Sequence, residues 1–102
     1  MTVLTGDQVT ELAELFHLLG DQNRLRIVTL CLDEAVSVGE MAQKFELSQT
    51  LVSHHLRLLR AARILRAERQ GKHVFYSAAD DHIRVMLKDM MEHVVETAHD
   101  DP

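Results

Sequence analysis

Residues 77–99 contain four candidate metal ligands, and their spacing limits how this chain can fold and assemble. The ligands form two pairs, Asp80 with His82 and His93 with Glu96. The two histidines are eleven residues apart, which is close to three helical turns and roughly 16 Å along a helix axis. Zinc binds nitrogen and oxygen ligands at about 2 Å, so one helix cannot bring both pairs to one ion.

An antiparallel second copy of the same helix removes this difficulty. The two histidines, His82 and His93, and the two carboxylates, Asp80 and Glu96, are centred on nearly the same point, at Leu87 and Lys88, so the pairs are nested. A two-fold axis there sets the first pair of one subunit beside the second pair of the other, which predicts two equivalent sites across a homodimer. An apolar stripe on this stretch offers a surface to bury against the partner. The stripe consists of Ile83, Met86, Leu87, Met90 and Val94.

The alternative interpretation is that these side chains form an ordinary solvated helix face. Positions i and i+2 of a helix point apart, which counts against joint action of Asp80 and His82. The objection weakens if Asp80 occupies the N-cap position before the helix, which favours Asp. From the residues alone, both interpretations remain.

The composition predicts one small domain, residues 1–102, in the reducing cytoplasm. Apolar residues make up 46% and aromatic residues 4%, so we expect a thin aliphatic core that a dimer interface supplements. The single cysteine, Cys31, stands in an apolar run and is expected to be buried and reduced. We recognise no signal peptide and no apolar run that could span a bilayer, so no membrane partner is expected.

The charge distribution predicts a nucleic-acid-binding face although the net charge is −5. Residues 48–77 carry six basic residues and one acidic residue, between two acidic flanks. This pattern is expected of a DNA-contacting face, and a solvated basic surface without a partner is the alternative. The basic residues are Arg57, Arg60, Arg63, Arg66, Arg69 and Lys72.

The order of local signals predicts a mainly α, α+β fold, the winged helix-turn-helix. Ser37 with Glu40 forms a capping box, and Ser48 is a suitable N-cap for the helix that follows. Two helices joined by a short break are typical of a helix-turn-helix. We expect the buried stripe of the second helix to be Leu51, Val52, Leu56 and Leu59. The expected parts are helices at 8–19, 22–32, 38–45 and 49–61, a helix-turn-helix at 38–60, a β-wing at 63–77, and dimerisation helices at 8–19 and 79–98.

The second helix of the pair would enter the major groove of double-stranded operator DNA. Its candidate base contacts are Gln49, Thr50, Ser53 and His54, and Arg57 and Arg60 lie further along the helix, where phosphate contacts are expected. Two short strands, at 64–69 and 73–77, would form a hairpin with its turn at Gln70-Gly71. A basic hairpin tip suits the phosphate backbone or the minor groove. The tip contacts are Arg69, Gln70 and Lys72, whereas His55 and His73 could be DNA contacts or surface residues.

Three motifs in order resemble the ArsR/SmtB family of bacterial metal-sensing repressors. Residues 18–27, LLGDQNRLRI, resemble the start of the family's DNA-binding core. Residues 47–56, LSQTLVSHHL, resemble its recognition helix, and RQGK at 69–72 with VFYS at 74–77 resembles its wing. The resemblance covers nearly the whole chain.

The resemblance implies where a metal binds. One branch of the family uses Cys-x-Cys before the recognition helix, but Ser37 and Gly39 stand at the matching positions, so that thiolate site is absent. A second branch binds zinc or cobalt between the C-terminal helices of the dimer, through Asp-x-His and a later His-x-x-His or His-x-x-Glu. The matching residues here are Asp80, His82, His93 and Glu96.

Two imidazoles and two carboxylates suit Zn(II), with Co(II) as a surrogate. Nickel-sensing relatives recruit further ligands, for which His99 is a candidate. By resemblance, a hydrogen bond from His93 would reach the backbone near Arg63 and couple metal to DNA. We therefore predict an apo homodimer that represses metal efflux or resistance genes and releases its operator when zinc binds.

Two other functions remain as alternatives. One is a repressor of the same fold that responds to a non-metal signal, to none, or to nickel, cobalt or cadmium. The other is a small metallohydrolase. The four candidate ligands would all be taken by the metal, so no residue remains to act as a base beside an open coordination position. So short a chain also offers no evident pocket for a small organic substrate. We therefore expect that the protein is not an enzyme.

Overall fold

The computed structural model describes residues 2–100, with side chains through Thr97, and shows a winged helix-turn-helix. In chain order the described part contains five helices and three strands. These are α1 (Gly6–Leu19), α2 (Gln22–Leu30), β1 (Val36–Ser37), α3 (Val38–Phe45), α4 (Gln49–Ala61), β2 (Leu65–Gln70), β3 (His73–Ala78) and α5 (Asp81–Asp100).

Side-chain caps set the starts of the helices. The Ser37 hydroxyl accepts a bond from the Glu40 amide at 3.3 Å, and the Glu40 carboxylate accepts one from the Ser37 amide at 3.4 Å. Ser48 caps α4 through a bond from the Leu51 amide at 3.1 Å. Both helices therefore begin where their sequences predict. Helix α1 begins two residues before the predicted residue 8, because Thr5 accepts the capping bond there.

The hairpin differs from the prediction by one residue. Gln70 pairs with His73, so the two-residue turn is Gly71-Lys72 and not Gln70-Gly71. Gly71 has φ of +64°, a left-handed conformation that glycine adopts without a Cβ clash. A third strand, β1, was not predicted, because two residues carry no periodicity. It pairs with β3, giving the sheet order β1-β3-β2.

The core is aliphatic and lies between α2, α3, α4 and the sheet. Its most completely buried side chains are Ile27, Val28, Cys31, Met41, Val52, Leu56, Leu59, Ile64 and Leu65. Burial raises the pKa of the Cys31 thiol to about 12, so the thiol stays protonated at neutral pH. The expectation of a buried cysteine is confirmed, but Leu51 of the predicted stripe is 37% exposed. It lies at the start of α4, where its side chain is not covered by the core.

Helix α5 is attached to the domain by its first half. Leu87 is buried in the core, and the Arg84 Nε donates to the Leu32 carbonyl oxygen at 2.8 Å. Lys88 forms an ion pair with Asp33. The second half of α5 leaves its large apolar side chains exposed, namely Met90, Met91, Val94 and Val95. None of the helices in residues 2–100 is long and apolar enough to cross a membrane.

Candidate metal-ligand helix and nucleic-acid interface

The start of α5 brings together one of the predicted ligand pairs. Asp80 lies just before the helix, and its Oδ1 accepts a hydrogen bond from the Ile83 amide at 3.1 Å. That bond, with a smaller contribution from His82, holds the pKa of Asp80 below its usual value, so the carboxylate is ionised at neutral pH. The Asp80 Oδ1 lies 3.7 Å from the His82 Nδ1. Because Asp80 is a cap rather than a helical residue, the i, i+2 objection does not apply.

The donor chemistry and spacing of this pair fit a divalent metal. Two ligand atoms that each lie about 2 Å from a tetrahedral ion are roughly 3.3 Å apart, close to the observed separation. Both side chains face solvent, with 97% of His82 and 54% of Asp80 exposed. The second carboxylate oxygen of Asp80 takes no part in the capping bond. Asp80 and His82 therefore lie close enough together to act on one ion.

The other predicted pair lies further along the same helix. His93 and Glu96 are exposed and three residues apart, so they are neighbours on the helix surface. Within the described part of a single chain, no group of three or more His, Cys, Asp or Glu side chains could hold a metal ion. The two pairs thus remain separate in one subunit. The side chain of His99 is outside the described residues.

The helix-turn-helix and the wing expose the predicted DNA contacts. Helix α3 ends at Phe45, and the C-cap residue Glu46, with φ of 54°, turns the chain towards α4. At the start of α4 and along its outer face, Gln49, Thr50, His54 and Arg57 are exposed and Ser53 is half-buried. At the hairpin tip, Arg69, Gln70 and Lys72 are exposed, with His73 beside them. The eight candidates therefore form two surfaces, the outer face of α4 and the wing tip.

His55 is neither a DNA contact nor a surface residue, because it is 6% exposed. Its Nδ1 lies 3.5 Å from an Arg24 guanidinium nitrogen. The Arg24 Nε also donates to the Leu18 carbonyl oxygen at 2.8 Å, and its amide donates to the Asp21 carboxylate at 2.9 Å. Arg24 therefore links α1, α2 and α4. The helical spacing of His55 from Val52 and Leu59 was the available signal for its burial.

We expect the free energy of unfolding to fall between about pH 7 and pH 5, partly through His55. Burial lowers the pKa of His55, as does the positive charge of Arg24, against the opposing effect of Asp21. The unfolded chain therefore binds the proton more readily, so stability decreases as the pH falls through and below about 6.5. In urea titrations at several pH values, the free energy of unfolding should decrease less in His55→Gln than in the wild type as the pH falls.

The matched control is His73→Gln, which removes an exposed histidine of the wing that is not among the charges acting on His55. Its pH dependence should equal that of the wild type over the same range. The carboxylates titrate mainly below this window. If the free energy of unfolding depended on pH equally in all three proteins, His55 would have no part in the pH dependence.

Comparison with known proteins places the chain among bacterial regulators. Residues 21–67 match the sequence family described as bacterial regulatory protein, arsR family. The transcriptional repressor SmtB homolog of Synechocystis sp. is 34% identical over 95 residues, which are 93% of this chain and 72% of that protein. The cadmium resistance transcriptional regulatory protein CadC homolog of Staphylococcus aureus is 34% identical, over 86% of this chain and 74% of that protein.

Solved structures show the same fold. The homodimeric winged helix-turn-helix DNA-binding domain Mb0332 of Mycobacterium bovis superposes with a TM-score of 0.86 at 18% identity, over 99% of this chain and 96% of that domain. HlyU of Vibrio cholerae superposes with a TM-score of 0.80 at 26% identity, over 86% of this chain and 96% of HlyU. HlyU is described as a transcriptional activator. These relatives are transcriptional regulators rather than enzymes, as the sequence predicts.

Proposed function

Because the chain belongs to the arsR family of bacterial regulatory proteins, we propose that it is a zinc-responsive transcriptional repressor. As a metal-free homodimer it binds operator DNA, and zinc held between the two copies of α5 releases the DNA. The genes that it represses encode metal efflux or resistance functions.

The observation that carries the proposal is the pairing of Asp80 with His82. The Asp80 Oδ1 that caps α5 lies 3.7 Å from the His82 Nδ1, so carboxylate and imidazole stand side by side at the start of the helix and the second carboxylate oxygen can take a metal. Both side chains are exposed, which leaves room for ligands from another chain. His93 and Glu96 of the partner subunit complete four ligands, the number that zinc takes in structural sites.

A second copy of this chain is the partner for the exposed half of α5. Met90, Met91, Val94 and Val95 together form an apolar surface, and α1 exposes Val9, Leu12 and Phe16. Burying such surface stabilises by roughly 25 cal/mol per Å². The antiparallel pairing that covers α5 also places the nested ligand pairs opposite each other. The same two-fold arrangement therefore supports both the dimer and the metal sites.

In each subunit, one set of residues contacts DNA and another set binds the metal. Gln49, Thr50, Ser53 and His54 at the start of α4 contact base edges, and Arg57 contacts phosphates. Arg69, Gln70 and Lys72 contact the backbone or minor groove. When bound, zinc supplies a cross-link between carboxylate and imidazole donors of both subunits. Held together in this way, the α5 helices favour a dimer in which the two α4 helices no longer match the half-site spacing.

Fluorescence anisotropy with a duplex from the protein's own promoter tests this function. Zinc should weaken binding by about 5- to 150-fold, and by linkage the duplex should weaken zinc binding by the same factor. A chelator should restore DNA binding. An operator affinity that is independent of zinc would exclude the proposed response.

A regulator of the same fold with another signal is the second candidate, and the likeness to the activator HlyU favours it. Parallel titrations with Co(II), Ni(II) and Cd(II) separate the possibilities. Release by cadmium or nickel but not zinc would leave a metal sensor of different preference. No response to any metal would indicate a non-metal signal.

A further inference from the structure

An open groove of about 470 Å³ lies between α4 and β3. Its lining residues are Ser53, Leu56, Arg57, Arg60, Ala61 and Tyr76. Two guanidinium groups and two hydroxyl groups can donate hydrogen bonds there, and no acidic side chain lines the groove. This donor set fits an anion, and guanidinium groups suit the oxygens of a phosphate in particular.

These donors are not occupied within the domain. In residues 2–100, the ion pairs involve His82, Arg84 and Lys88, and none involves Arg57 or Arg60. Arg66, by contrast, donates to the Ser77 hydroxyl at 3.2 Å, and Arg24 and Arg84 donate to backbone oxygens. No side-chain hydrogen bond of the described part engages the Tyr76 hydroxyl, on a side chain that is half-buried. The groove therefore presents its donors to something outside the chain.

The position of the groove indicates which phosphate it meets. If α4 enters the major groove and the wing tip enters the adjacent minor groove, one sugar–phosphate strand must pass between them. The groove lies at this junction, since its walls are α4 and the wing strand β3. Arg60 is on α4, and Tyr76 is in the middle of β3, paired with Val36 and Ala67. A DNA strand bound in this way would pass between these walls.

We propose that this groove clamps a backbone phosphate of the DNA strand between recognition helix and wing, through Arg60 and the Tyr76 hydroxyl. The proposal rests on the DNA binding in the proposed function but not on the response to zinc. A phosphate contact carries no base information, so the clamp sets the register of α4 on the duplex. Arg60 and Tyr76 are then positioning residues on two different elements.

Two variants separate a charged contact from a neutral one. Arg60→Gln should lower the magnitude of the slope of log affinity against log salt by about 0.9 per subunit, or about 1.8 for the proposed homodimer, because each subunit loses one phosphate neutralisation. Tyr76→Phe removes only the hydroxyl and should weaken binding about 2- to 10-fold per subunit without changing that slope. For each variant, the loss of affinity should be the same on the promoter duplex and on an unrelated duplex of the same length.

Arg26→Gln is the matched control, since Arg26 is an exposed arginine on α2, away from the groove. Urea unfolding of each variant checks that the fold is retained. If Arg60→Gln changes the slope no more than Arg26→Gln, or if Tyr76→Phe binds both duplexes as tightly as the wild type, the clamp is excluded. Zinc titrations of the same variants report the metal response separately, so its failure would leave the clamp intact.

Calorimetry with inorganic pyrophosphate and no DNA tests the other source of a phosphate group. The clamp predicts at most weak binding of this free anion. Tight pyrophosphate binding that Arg60→Gln abolishes, together with unchanged DNA affinity, would assign the groove to a free phosphorylated ligand and overturn the proposal.

Discussion

Replacing His93 by alanine is expected to abolish zinc-driven release from operator DNA and to leave metal-free DNA binding unchanged. His93 is exposed on the second half of α5 and is not one of the candidate DNA contacts of α4 and the wing tip, so its loss leaves those contacts in place. In the proposed assembly, the imidazole is one of two ligands that only the partner subunit can supply. Without it, zinc no longer ties the two α5 helices together.

The measurement is operator affinity by anisotropy, with and without zinc, in wild type and variant. The 5- to 150-fold weakening by zinc should disappear in His93→Ala. Glu92→Ala serves as the control, because Glu92 is an exposed neighbour on the same helix but outside the ligand pairs. It should retain the full response. An unchanged zinc effect in His93→Ala would refute the assigned site, and a lost effect in Glu92→Ala would indicate general damage to α5.

The largest expected loss of stability follows Leu59→Ala, at about 2–5 kcal/mol. Leu59 is 0% exposed, so its removal leaves a cavity among close-packed neighbours. Leu51→Ala makes the same chemical change on the same helix at a position that is 37% exposed. It should cost only about 0.5 kcal/mol, as is common for surface substitutions.

Urea unfolding of both variants at one fixed protein concentration provides the test, because the proposed dimerisation makes apparent stability depend on concentration. Alanine favours helix at either position, so a difference between the variants reports packing rather than helix propensity. Similar losses at the two positions would mean that the exposed face of α4 is covered in solution.

The helix-turn-helix was predictable because its signals are local. Ser37 with Glu40 and Ser48 cap α3 and α4 at the predicted residues. The wing was predictable from its strand-forming residues, but its turn lies at Gly71-Lys72 because pairing extends to Gln70 and His73. The clustering of Arg57 and Arg60 with Tyr76 around one groove was not foreseen, since it depends on how β3 lies against α4.

The sequence by itself determined the five helices and the two wing strands, their order and the nested spacing of the ligand pairs, because caps and residue periodicity act within a few residues. Only the tertiary structure decided which residues of each element are covered. It buried His55 against Arg24, left Leu51 exposed, and joined β1 to β3. Burial and strand pairing depend on contacts between segments far apart in the chain, which no local pattern specifies.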